Sequence, residues 1–491
     1  MSDEILMNVT PREIRVAVVE NGVLQEVFIE RASRRGMVGS VFKGKVNRVL
    51  PGMQAAFVDV GLARTAFLHV SDIVMPPAKE LATDTGRDAT VPNITELLHD
   101  GQEVLVQVVK DPLGTKGARL TTQISLPSRF LVFVANDSGV GVSHKIANEE
   151  ERQRLKDIVT RIAVDFPGGY IVRTAAEGAT EELLREDASF FQKQWSDIQQ
   201  SSKAAKPSTL VYEELPLTLR AMRDRLRDHI EKVRIDSRES YRRIMDFVNK
   251  FAPQWADRIE YYPGERPLFD LYSVEDEIQK ALLKRVELKS GGHVVIDQTE
   301  AMTTIDVNTG AFVGNRTQSE TIFKTNLEAA QAIARQLRLR NLGGIIIIDF
   351  IDMTDEDHKR QVLRALEKAV QRDHAKTTIS GVSALGLVEM TRQRTQESLE
   401  HVLCAPCPTC NGRGALKTPE TVCYEIFREI IREARQFESD QLLVLVSQDV
   451  ADRLLDEESA TMAELEAFIG KTITIQVEAL YNQEQYDVVL T

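Results

Sequence analysis

The sequence lacks the segments that place a protein in or across a membrane. No run of the 491-residue chain approaches the roughly 18 apolar residues of a membrane span. The N-terminus, MSDEILMNVT, is acidic and has no basic stretch followed by an apolar one, so it predicts no secretory signal. These two absences predict a cytoplasmic protein.

Cysteine is scarce and unevenly spaced. The chain has four, and Cys404, Cys407 and Cys410 fall within seven residues, which in a reducing compartment favours a metal site over a disulfide. A structural Zn²⁺ takes four tetrahedral ligands. Three solutions stay open: a site within one chain that adds a ligand such as His401, a redox dithiol, or two chains that each give one pair. The dithiol requires a thioredoxin-like βαβ context, which the sequence does not show.

An excess of positive charge is also missing. Lys and Arg number 61 against 74 Asp and Glu, for a formal net charge of −13. This balance argues against a protein that coats nucleic acid, but leaves room for a nucleic-acid enzyme with local basic patches and an acidic metal site. Hydrophobic residues make up 43% of the chain, enough for globular domains, and the length suggests about three to four of them.

Residues 39–126 predict a small β-barrel. Five short β-rich stretches follow one another there, separated by turn residues, with a long polar insert at 76–101. That pattern is typical of an OB fold. Further along, QSSKAAKPST at 200–209 predicts a linker, and residues 217–253 predict helices.

An α/β block follows, with strand candidates GGHVVIDQT, MTTIDVNTG and GGIIIIDFIDM. The last reads as apolar on both faces, which predicts a strand covered on both sides of its sheet. A helix is expected at about 319–341, where RNLGG provides a C-terminal stop. Near its end, Arg335, Arg338 and Arg340 predict either a solvated face or a track for backbone phosphates.

Acidic and amide residues stand at the ends of two of these strands. Asp306 and Asn308 are two apart and share one strand face, and Asp349 ends the isoleucine strand. Ligands bind beyond the carboxyl ends of strands in open α/β sheets, so adjacent strands would bring the three together. Such oxygen ligands suit Mg²⁺ completed by a substrate phosphate. The alternative is that these aspartates cap helices or form turns, and we favour that alternative for Asp352. Asp297 is a candidate to hold the metal ligands in place without binding the metal itself.

Aromatic and basic residues add candidate contacts. Phe57 and Phe67 fall at strand positions where OB folds offer bases a stacking platform; two core phenylalanines are the alternative. Lys116, among glycines in LGTKGARL, is either a phosphate contact or an exposed loop lysine. Arg173 and Thr174 combine a guanidinium with a hydroxyl, a pair that can grip a phosphate or form a surface salt bridge.

Six ordered blocks resemble the ribonuclease E/G family of bacterial endoribonucleases, over essentially the whole chain. The blocks are SVFKGKVNRVLPGMQAAFVDVG, KGARLTTQISLPSR, VELKSGG, EAMTTIDVNTGAF, NLEAAQAIARQLRLRNLGGIIIIDFIDM and CPTCNGRG. The chain ends at YNQEQYDVVLT, so we expect none of the disordered tail that scaffolds a degradosome in some members.

The resemblance implies a multidomain protein with α/β and all-β parts. In chain order these are an RNase H-like domain split between 1–38 and 219–281, an OB-fold RNA-binding domain at 39–122, a 5′-sensor region at 123–218, a deoxyribonuclease-I-like α/β catalytic domain at 282–403, a zinc link at 404–417 and a small C-terminal domain at 418–491.

The resemblance also implies roles for single residues. Asp306, Asp349 and Asn308 would hold a catalytic Mg²⁺, and Cys407 with Cys410 would bind one Zn²⁺ shared between two chains. The implied RNA contacts are Phe57, Phe67 and Lys116, and the implied 5′-monophosphate pocket comprises Arg173, Thr174, Val132 and Lys376. Lys376 stands where some relatives supply an arginine, so the bidentate fork is lost there.

Together these features predict a Mg²⁺-dependent endoribonuclease that cuts single-stranded, A/U-rich RNA, favours 5′-monophosphorylated ends and leaves 5′-phosphate and 3′-hydroxyl products. The resemblance implies precursors of small-subunit ribosomal RNA and messenger RNAs as substrates, and a homodimer or larger oligomer. The alternatives are a non-catalytic RNA-binding or chaperone protein that uses the barrel alone, and a zinc-centred redox module.

Overall fold

The computed structural model describes residues 3–33, 35–74, 93–112, 117–146, 148–226, 229–251, 253–310, 318–383, 385–394, 396–437 and 441–491. The chain divides into two compact units, Met1–Leu399 and Glu400–Thr491. Among the described residues, no helix combines the length and the apolar composition that crossing a bilayer requires.

The chain begins with three antiparallel strands. These are β1 (Asp3–Val9), β2 (Glu13–Glu20) and β3 (Val23–Arg31). The β2–β3 turn is Asn21–Gly22, with φ of 51° and 77°. Positive φ at both positions is what a tight two-residue hairpin requires.

The next segment closes into a barrel, which confirms the predicted OB fold. Its elements are β4 (Val41–Leu50), β5 (Ala55–Asp59), β6 (Ala66–His69), α1 (Ile94–Leu97), β7 (Glu103–Lys110) and β8 (Arg119–Thr121). The strand order is β4-β5-β6-β8-β7, and β7 returns to pair with β4. Val46, Val58, Leu68 and Val106 belong to the buried barrel core.

A four-stranded sheet with two long helices follows the barrel. Its elements are β9 (Ser125–Pro127), β10 (Leu131–Val134), β11 (Val140–Val142), α2 (Glu149–Asp165), β12 (Gly169–Val172) and α3 (Glu181–Ala204), in strand order β11-β12-β10-β9. Phe133, Tyr170 and Phe191 are almost completely buried in its core.

The linker predicted at 200–209 is wrong. α3 continues to Ala204, and β13 (Thr209–Tyr212) then pairs antiparallel with β4 of the barrel. The helix persists through these polar residues because its apolar side, with Phe191 and Ile198, packs in the core while the polar residues face outward. A strand assigned to the sensor region by sequence therefore lies in the barrel sheet.

The chain then completes the sheet that β1–β3 began. The elements are α4 (Leu217–Arg225), β14 (Ile230–Ile235), α5 (Arg238–Phe251), β15 (Ile259–Tyr261), α6 (Leu268–Leu271) and α7 (Val274–Leu282). β14 pairs parallel with β1, and the order is β15-β14-β1-β2-β3. The prediction of helices throughout 217–253 is wrong at β14, because β1 supplies a ladder for its backbone and Ile230, Val233 and Ile235 are buried.

A six-stranded sheet and two helices form the next part. Its elements are β16 (Arg285–Glu287), β17 (His293–Gln298), β18 (Met302–Asn308), α8 (Gln318–Leu339), β19 (Gly344–Asp349), α9 (Glu356–Val370), β20 (Thr377–Val382) and β21 (Val388–Arg392), in strand order β16-β17-β18-β19-β21-β20. The three strand candidates of the sequence are β17, β18 and β19, and the expected helix is α8.

Helices cover one face of this sheet and leave the other open. α8 and α9 pack against Ile305, Ile346 and Ile348, which are almost fully buried. On the opposite face, Ile345 is 48% exposed. The prediction that the isoleucine strand is covered on both sides is therefore wrong, because α8 and α9 pack on the same side.

Two arginines near the end of α8 join this layer to the first sheet. Arg335 pairs with Glu277 of α7, and its Nε donates to the carbonyl of Leu24 in β3 at 2.9 Å. Arg338 is buried, and its Nη2 lies 2.6 Å from a carboxylate oxygen of Glu20 and 2.9 Å from one of Glu26. Neither predicted alternative, a solvated face or a phosphate track, holds at these two positions, because acidic side chains of other elements engage both guanidinium groups.

The second unit is a small α/β domain. After α10 (Leu399–Leu403), it contains α11 (Pro419–Gln436), β22 (Gln441–Val446), α12 (Gln448–Leu455), α13 (Ser459–Ile469), β23 (Thr472–Val477) and β24 (Tyr486–Leu490). β22 and β23 are parallel and are joined through two helices, while β24 pairs antiparallel with β22. This βαβ unit was not found from the sequence.

Candidate active site and RNA interface

Asp306 and Asp349 stand side by side at the ends of two central strands. β18 and β19 run parallel in a register that ends with Asp306 opposite Asp349. Both aspartates are exposed on the open face, whereas the residues before them, Ile305 and Ile348, are buried under the helices. The isoleucine strand is thus anchored on one side and presents its carboxylate on the other.

Asn308 joins this pair from two residues further along β18. Its Nδ2 donates a hydrogen bond to Oδ2 of Asp306 at 2.8 Å, which leaves its carbonyl oxygen available to a ligand. The Asp349 carboxylate has no hydrogen bond or ion pair with any residue in the described ranges. Like charges directly opposite each other on neighbouring strands repel, so the two carboxylates form a site that a cation would stabilise.

The donor set fits Mg²⁺ on chemical grounds. No group of three or more His, Cys, Asp or Glu side chains comes together within the part of the chain that the structure describes, so an all-protein metal cage is not formed there. Mg²⁺ is usually bound through one or two carboxylates, with water and substrate phosphate completing its shell. Two exposed carboxylates and one amide oxygen meet that requirement.

The other acidic candidates lie outside this trio. Asp297 is opposite Thr304 in the β17–β18 ladder, and its carboxylate is 2.6 Å from the Lys284 ammonium. Asp352 is exposed and lies beyond the end of β19. The turn role predicted for Asp352 agrees with this position.

The barrel presents an aromatic patch on its outside. Phe57 on β5 is directly opposite Phe67 on β6, with ring centroids 6.2 Å apart, and Phe67 stacks on His69 at 6.3 Å. All three side chains are partly exposed and are absent from the buried barrel core. The alternative of two core phenylalanines is therefore wrong. His69 was missed from the sequence, although it follows Phe67 at the two-residue spacing of one strand face.

Positive charge flanks this patch. Arg48 is exposed and lies opposite Phe57 in the β4–β5 ladder. Arg119 lies opposite Phe67 in the β6–β8 ladder, and its guanidinium is 2.8 Å from Asp72. Lys116 lies outside the described residues. Neither arginine was singled out from the sequence, because only the barrel ladders show which basic residues adjoin the rings.

Arg173 is held in an ion pair at the end of β12. Its guanidinium donates to the carbonyl of Ser128 and lies 2.7 Å from Asp224 of α4. Burial raises the pKa of Asp224, but the charges and hydrogen bonds of Arg223 and Arg173 outweigh it and lower the pKa to about 2. Thr174 follows directly, at the start of a 3₁₀ turn. The salt-bridge alternative therefore holds in this structure, in a part-buried setting.

The remaining sensor candidates are Val132 and Lys376. Val132 of β10 is opposite Ile171 of β12. The N–H of Ser143 donates to Val172 at 2.9 Å, and two residues later Lys145 Nζ donates to the carbonyl of His374 at 3.0 Å. Lys376, which is exposed beside the edge strand β20 of the six-stranded sheet, comes two positions after the residue that Lys145 contacts. Lys145 has no sequence signal; the fold alone singles it out.

Cys407 and Cys410 form a turn before α11. Hydrogen bonds from the backbone N–H groups of Cys410 and Thr409 lower the pKa of the Cys407 thiol to about 7, which favours the thiolate that metals bind. No three-ligand cluster with Cys404 or His401 forms among the described residues. Cys423 lies within α11, where burial raises its pKa to about 11.

Three family models match successive parts of the chain. Residues 36–122 match a model described as the S1 RNA binding domain, residues 125–395 one described as the Ribonuclease E/G family, and residues 406–490 one described as RNase E/G, Thioredoxin-like domain. The last match corrects the expectation that no thioredoxin-like context exists; it agrees with the parallel β22–β23 pair. The two cysteines lie in a turn before α11, however, and not at the end of a strand of that unit.

Curated relatives match along the whole chain. It is 57% identical over 490 residues to Ribonuclease G of Salmonella typhimurium (strain SL1344) and 56% identical to Ribonuclease G of Escherichia coli (strain K12), with 100% of both chains covered in each case. It is also 38% identical over 464 residues to Ribonuclease E of Escherichia coli (strain K12), a match that covers 94% of this chain and 43% of that protein.

Proposed function

This chain belongs to the ribonuclease E/G family, and on that premise we propose that it hydrolyses single-stranded RNA with a Mg²⁺ ion held by Asp306, Asn308 and Asp349. It is an endoribonuclease, as its relatives named Ribonuclease G indicate. The single observation that carries the proposed site is the register of β18 and β19, which puts two exposed carboxylates directly opposite each other.

The chain's own groups divide the work at this site. Asp306 and Asp349 supply hard anionic ligands, and Asn308 orients Asp306 while offering a carbonyl oxygen. When bound, Mg²⁺ would activate a water and stabilise charge on the phosphodiester. The open face of the sheet lets an RNA strand reach these side chains, since no described helix of this block covers it. Attack by water on phosphorus, with the P–O3′ bond breaking and the 3′-oxygen leaving as a hydroxyl, would give 5′-phosphate and 3′-hydroxyl ends.

The barrel would hold the substrate. Unpaired bases can splay and stack on aromatic rings, whereas bases inside a duplex cannot. Phe57, Phe67 and His69 form such a surface, with Arg48 beside it for the backbone. This arrangement supports a preference for single-stranded RNA, and the family resemblance adds Lys116 and an A/U-rich sequence preference.

The 5′ end would be read at Arg173. The proposed pocket combines Arg173, Thr174, Val132 and Lys376, and Lys145 adjoins it through its contact with residue 374. A 5′-monophosphate would bind between these cations and compete with Asp224 for the arginine. Ribosomal RNA precursors and messenger RNAs are the proposed substrates, and the protein would act in the cytoplasm as a homodimer joined by one shared Zn²⁺.

A cleavage assay tests the proposed activity. A short 5′-monophosphorylated single-stranded RNA is incubated with the protein in Mg²⁺, in EDTA, and with the Asp349→Asn variant. Metal charge stabilisation is worth several kcal/mol, and about 1.4 kcal/mol is a factor of ten in rate. Cleavage should therefore fall by about 1000-fold in EDTA and in the variant, with RNA binding retained.

The same assay decides against the alternatives. A non-catalytic RNA-binding protein would bind this RNA and leave it intact in Mg²⁺. Undiminished cleavage by Asp349→Asn would remove these aspartates from the mechanism. The identity of 56–57% to curated ribonucleases over the full length favours the enzyme over both non-nuclease alternatives.

A further inference from the structure

One buried side chain holds the segment that follows Asp349. Asn326 of α8 has no exposed surface. Its Nδ2 donates to the carbonyl oxygen of Ile351 at 2.8 Å, and the N–H of Ile351 donates to its Oδ1 at 3.1 Å. Such an exchange of two bonds between two residues is what an antiparallel strand neighbour provides. Asn326 therefore replaces a strand neighbour just beyond the last ladder pair of β19, at Asp349.

The same turn of α8 supports the end of β18. Thr325 is also fully buried, and its hydroxyl donates to the carbonyl of Thr321 within the helix. Its methyl group faces Gly292: a Cβ at that glycine would lie 2.9 Å from the methyl carbon and 2.6 Å from the carbonyl oxygen of Asn308. α8 thus packs against the chain beside Asn308 and bonds the chain just after Asp349.

Asp349 depends on its backbone for its position. Asp306 is oriented by the amide of Asn308, but no described residue hydrogen bonds to the Asp349 carboxylate. Among the described residues, only Asn326 bonds the backbone of Ile351. Asp349 is the last residue of the β18–β19 ladder, so a shift of the segment just beyond it, which Asn326 holds, would move the Asp349 carboxylate relative to Asp306.

We propose that Asn326 is a positioning residue for the metal site, which keeps the Asp349 carboxylate opposite Asp306. The proposal rests on the proposed function, because it concerns the residues that would hold Mg²⁺. A neutral amide suits this task, since it supplies one donor and one acceptor without adding charge beside two carboxylates. An aspartate of the same shape would keep the acceptor and lose the donor; a leucine would lose both.

The experiment compares Asn326→Leu and Asn326→Asp with Thr325→Val. The last variant is a matched control, because Thr325 is equally buried on the same turn and valine removes only a bond inside the helix. Two quantities are measured: Mn²⁺ binding to the RNA-free protein by electron paramagnetic resonance, and the Mg²⁺ concentration that gives half-maximal cleavage. Thermal unfolding of each variant in metal-free buffer accompanies both.

Residues that orient metal ligands typically change metal affinity by roughly 10–100-fold when they are replaced. We expect Mn²⁺ binding to weaken by that factor in both Asn326 variants and the Mg²⁺ requirement to rise with it. KM for RNA at saturating Mg²⁺ should stay near the wild-type value, because the barrel is untouched. Thr325→Val should bind metal as the wild type does.

Two kinds of failure are distinguishable. Folded Asn326 variants that match Thr325→Val in metal binding and Mg²⁺ requirement would overturn the positioning role, even if they unfold at a lower temperature. If Asn326→Leu does not fold, Asn326→Asp carries the same comparison, because it retains the acceptor for the Ile351 N–H. A wild-type protein that binds no Mn²⁺, or cleaves RNA without a divalent ion, would instead overturn the Mg²⁺ site itself.

Discussion

Two groups of charged residues, one on the open face of the six-stranded sheet and one near the end of α8, behave in opposite ways. On the open face of the sheet, Asp306 and Asp349 lie side by side, exposed and without a cation among the described residues. At the far end of the helix, Arg338 is buried against Glu20 and Glu26. The two aspartates repel each other in the protein alone and would be stabilised by a bound cation. The charge of Arg338 is already neutralised by Glu20 and Glu26, so it needs no ligand.

Burial and pairing, more than residue type, distinguish charged residues with a functional role from charged residues that stabilise the fold. The sequence predicted a metal site at Asp306 and Asp349, and for the arginines near the end of α8 it predicted either a solvated face or a track for backbone phosphates. A buried charge is tolerated only when it is paired and hydrogen bonded. An exposed like-charged pair has no such role in packing, which is why it points to a metal.

The largest effect on stability should come from the buried side of this comparison. Arg338→Ala removes a cation from Glu20 and Glu26, and breaking a buried pair costs about 3–5 kcal/mol. We expect the lower end, because Arg225 still lies 2.9 Å from Glu26. Asp349→Asn should change stability by less than about 0.5 kcal/mol. Urea unfolding without Mg²⁺ measures the free energy of unfolding of both variants. A larger loss of stability in Asp349→Asn than in Arg338→Ala would contradict the expected order.

Arg173 lies between the two extremes, since it is paired but part-exposed. Hydrogen bonds to charged groups are worth about 1.5–3 kcal/mol, so Arg173→Ala should narrow the rate difference between 5′-monophosphate and 5′-hydroxyl RNA by about 10-fold or more. Arg173→Lys serves as the control, because lysine keeps the positive charge but lacks the planar guanidinium that donates two parallel hydrogen bonds. Cleavage of 5′-hydroxyl RNA should not change. An undiminished preference for the monophosphate would place the pocket elsewhere.

Two phenylalanines allow an exposed residue with a proposed binding role to be compared with a buried residue of the core, without any effect of charge. Phe67 is partly exposed on the barrel, while Phe133 is buried in the neighbouring core. Base stacking is worth about 1–3 kcal/mol per base, so Phe67→Ala should weaken single-stranded RNA binding by about 10–100-fold and leave thermal stability nearly intact. Phe133→Ala should do the reverse. Fluorescence anisotropy with labelled RNA distinguishes them, and equal losses of binding would refute the platform.

The cysteines give the smallest but most specific test. The pKa of Cys407 is lowered to about 7 and that of Cys423 is raised to about 11. In metal-free protein, alkylation of Cys407 should therefore rise with pH and reach half its plateau near pH 7, while Cys423 stays unreacted. Mass spectrometry of the alkylated peptides measures both.

The shared-metal prediction uses the same cysteine. About one Zn²⁺ per two chains should be found, because a structural site takes four ligands and each chain offers one pair. Cys407→Ser should release the metal and give monomers, while Cys404→Ser, which is outside the pair, should not. One zinc per chain would contradict the shared site.

Local patterns predicted much of this molecule. Turn residues and alternating strands predicted the five barrel strands, and the apolar runs predicted β17, β18 and β19. The failures share one cause. β14 looked helical, and residues 200–209 looked like a linker, because their conformation depends on partners far away in the chain: β1 pairs with the first, and the helix core holds the second.

The candidate site divides in the same way. Two-residue spacing was enough to place Asp306 and Asn308 on one face, and motif blocks were enough to assign the family. No spacing could show that Arg173 pairs with Asp224, that Lys145 reaches residue 374, or that Asn326 bonds the chain after Asp349. Each of these contacts joins elements whose separation in sequence hides their proximity.

By itself, the sequence determined the barrel strands, the three central strand candidates of the six-stranded sheet and the family, because these follow from side-chain chemistry and from short-range periodicity. Only the tertiary structure decided which charges are left exposed and which are neutralised. The physical reason is that burial and ion pairing depend on distances between residues remote in the chain, and those distances exist only once the sheets and helices have packed.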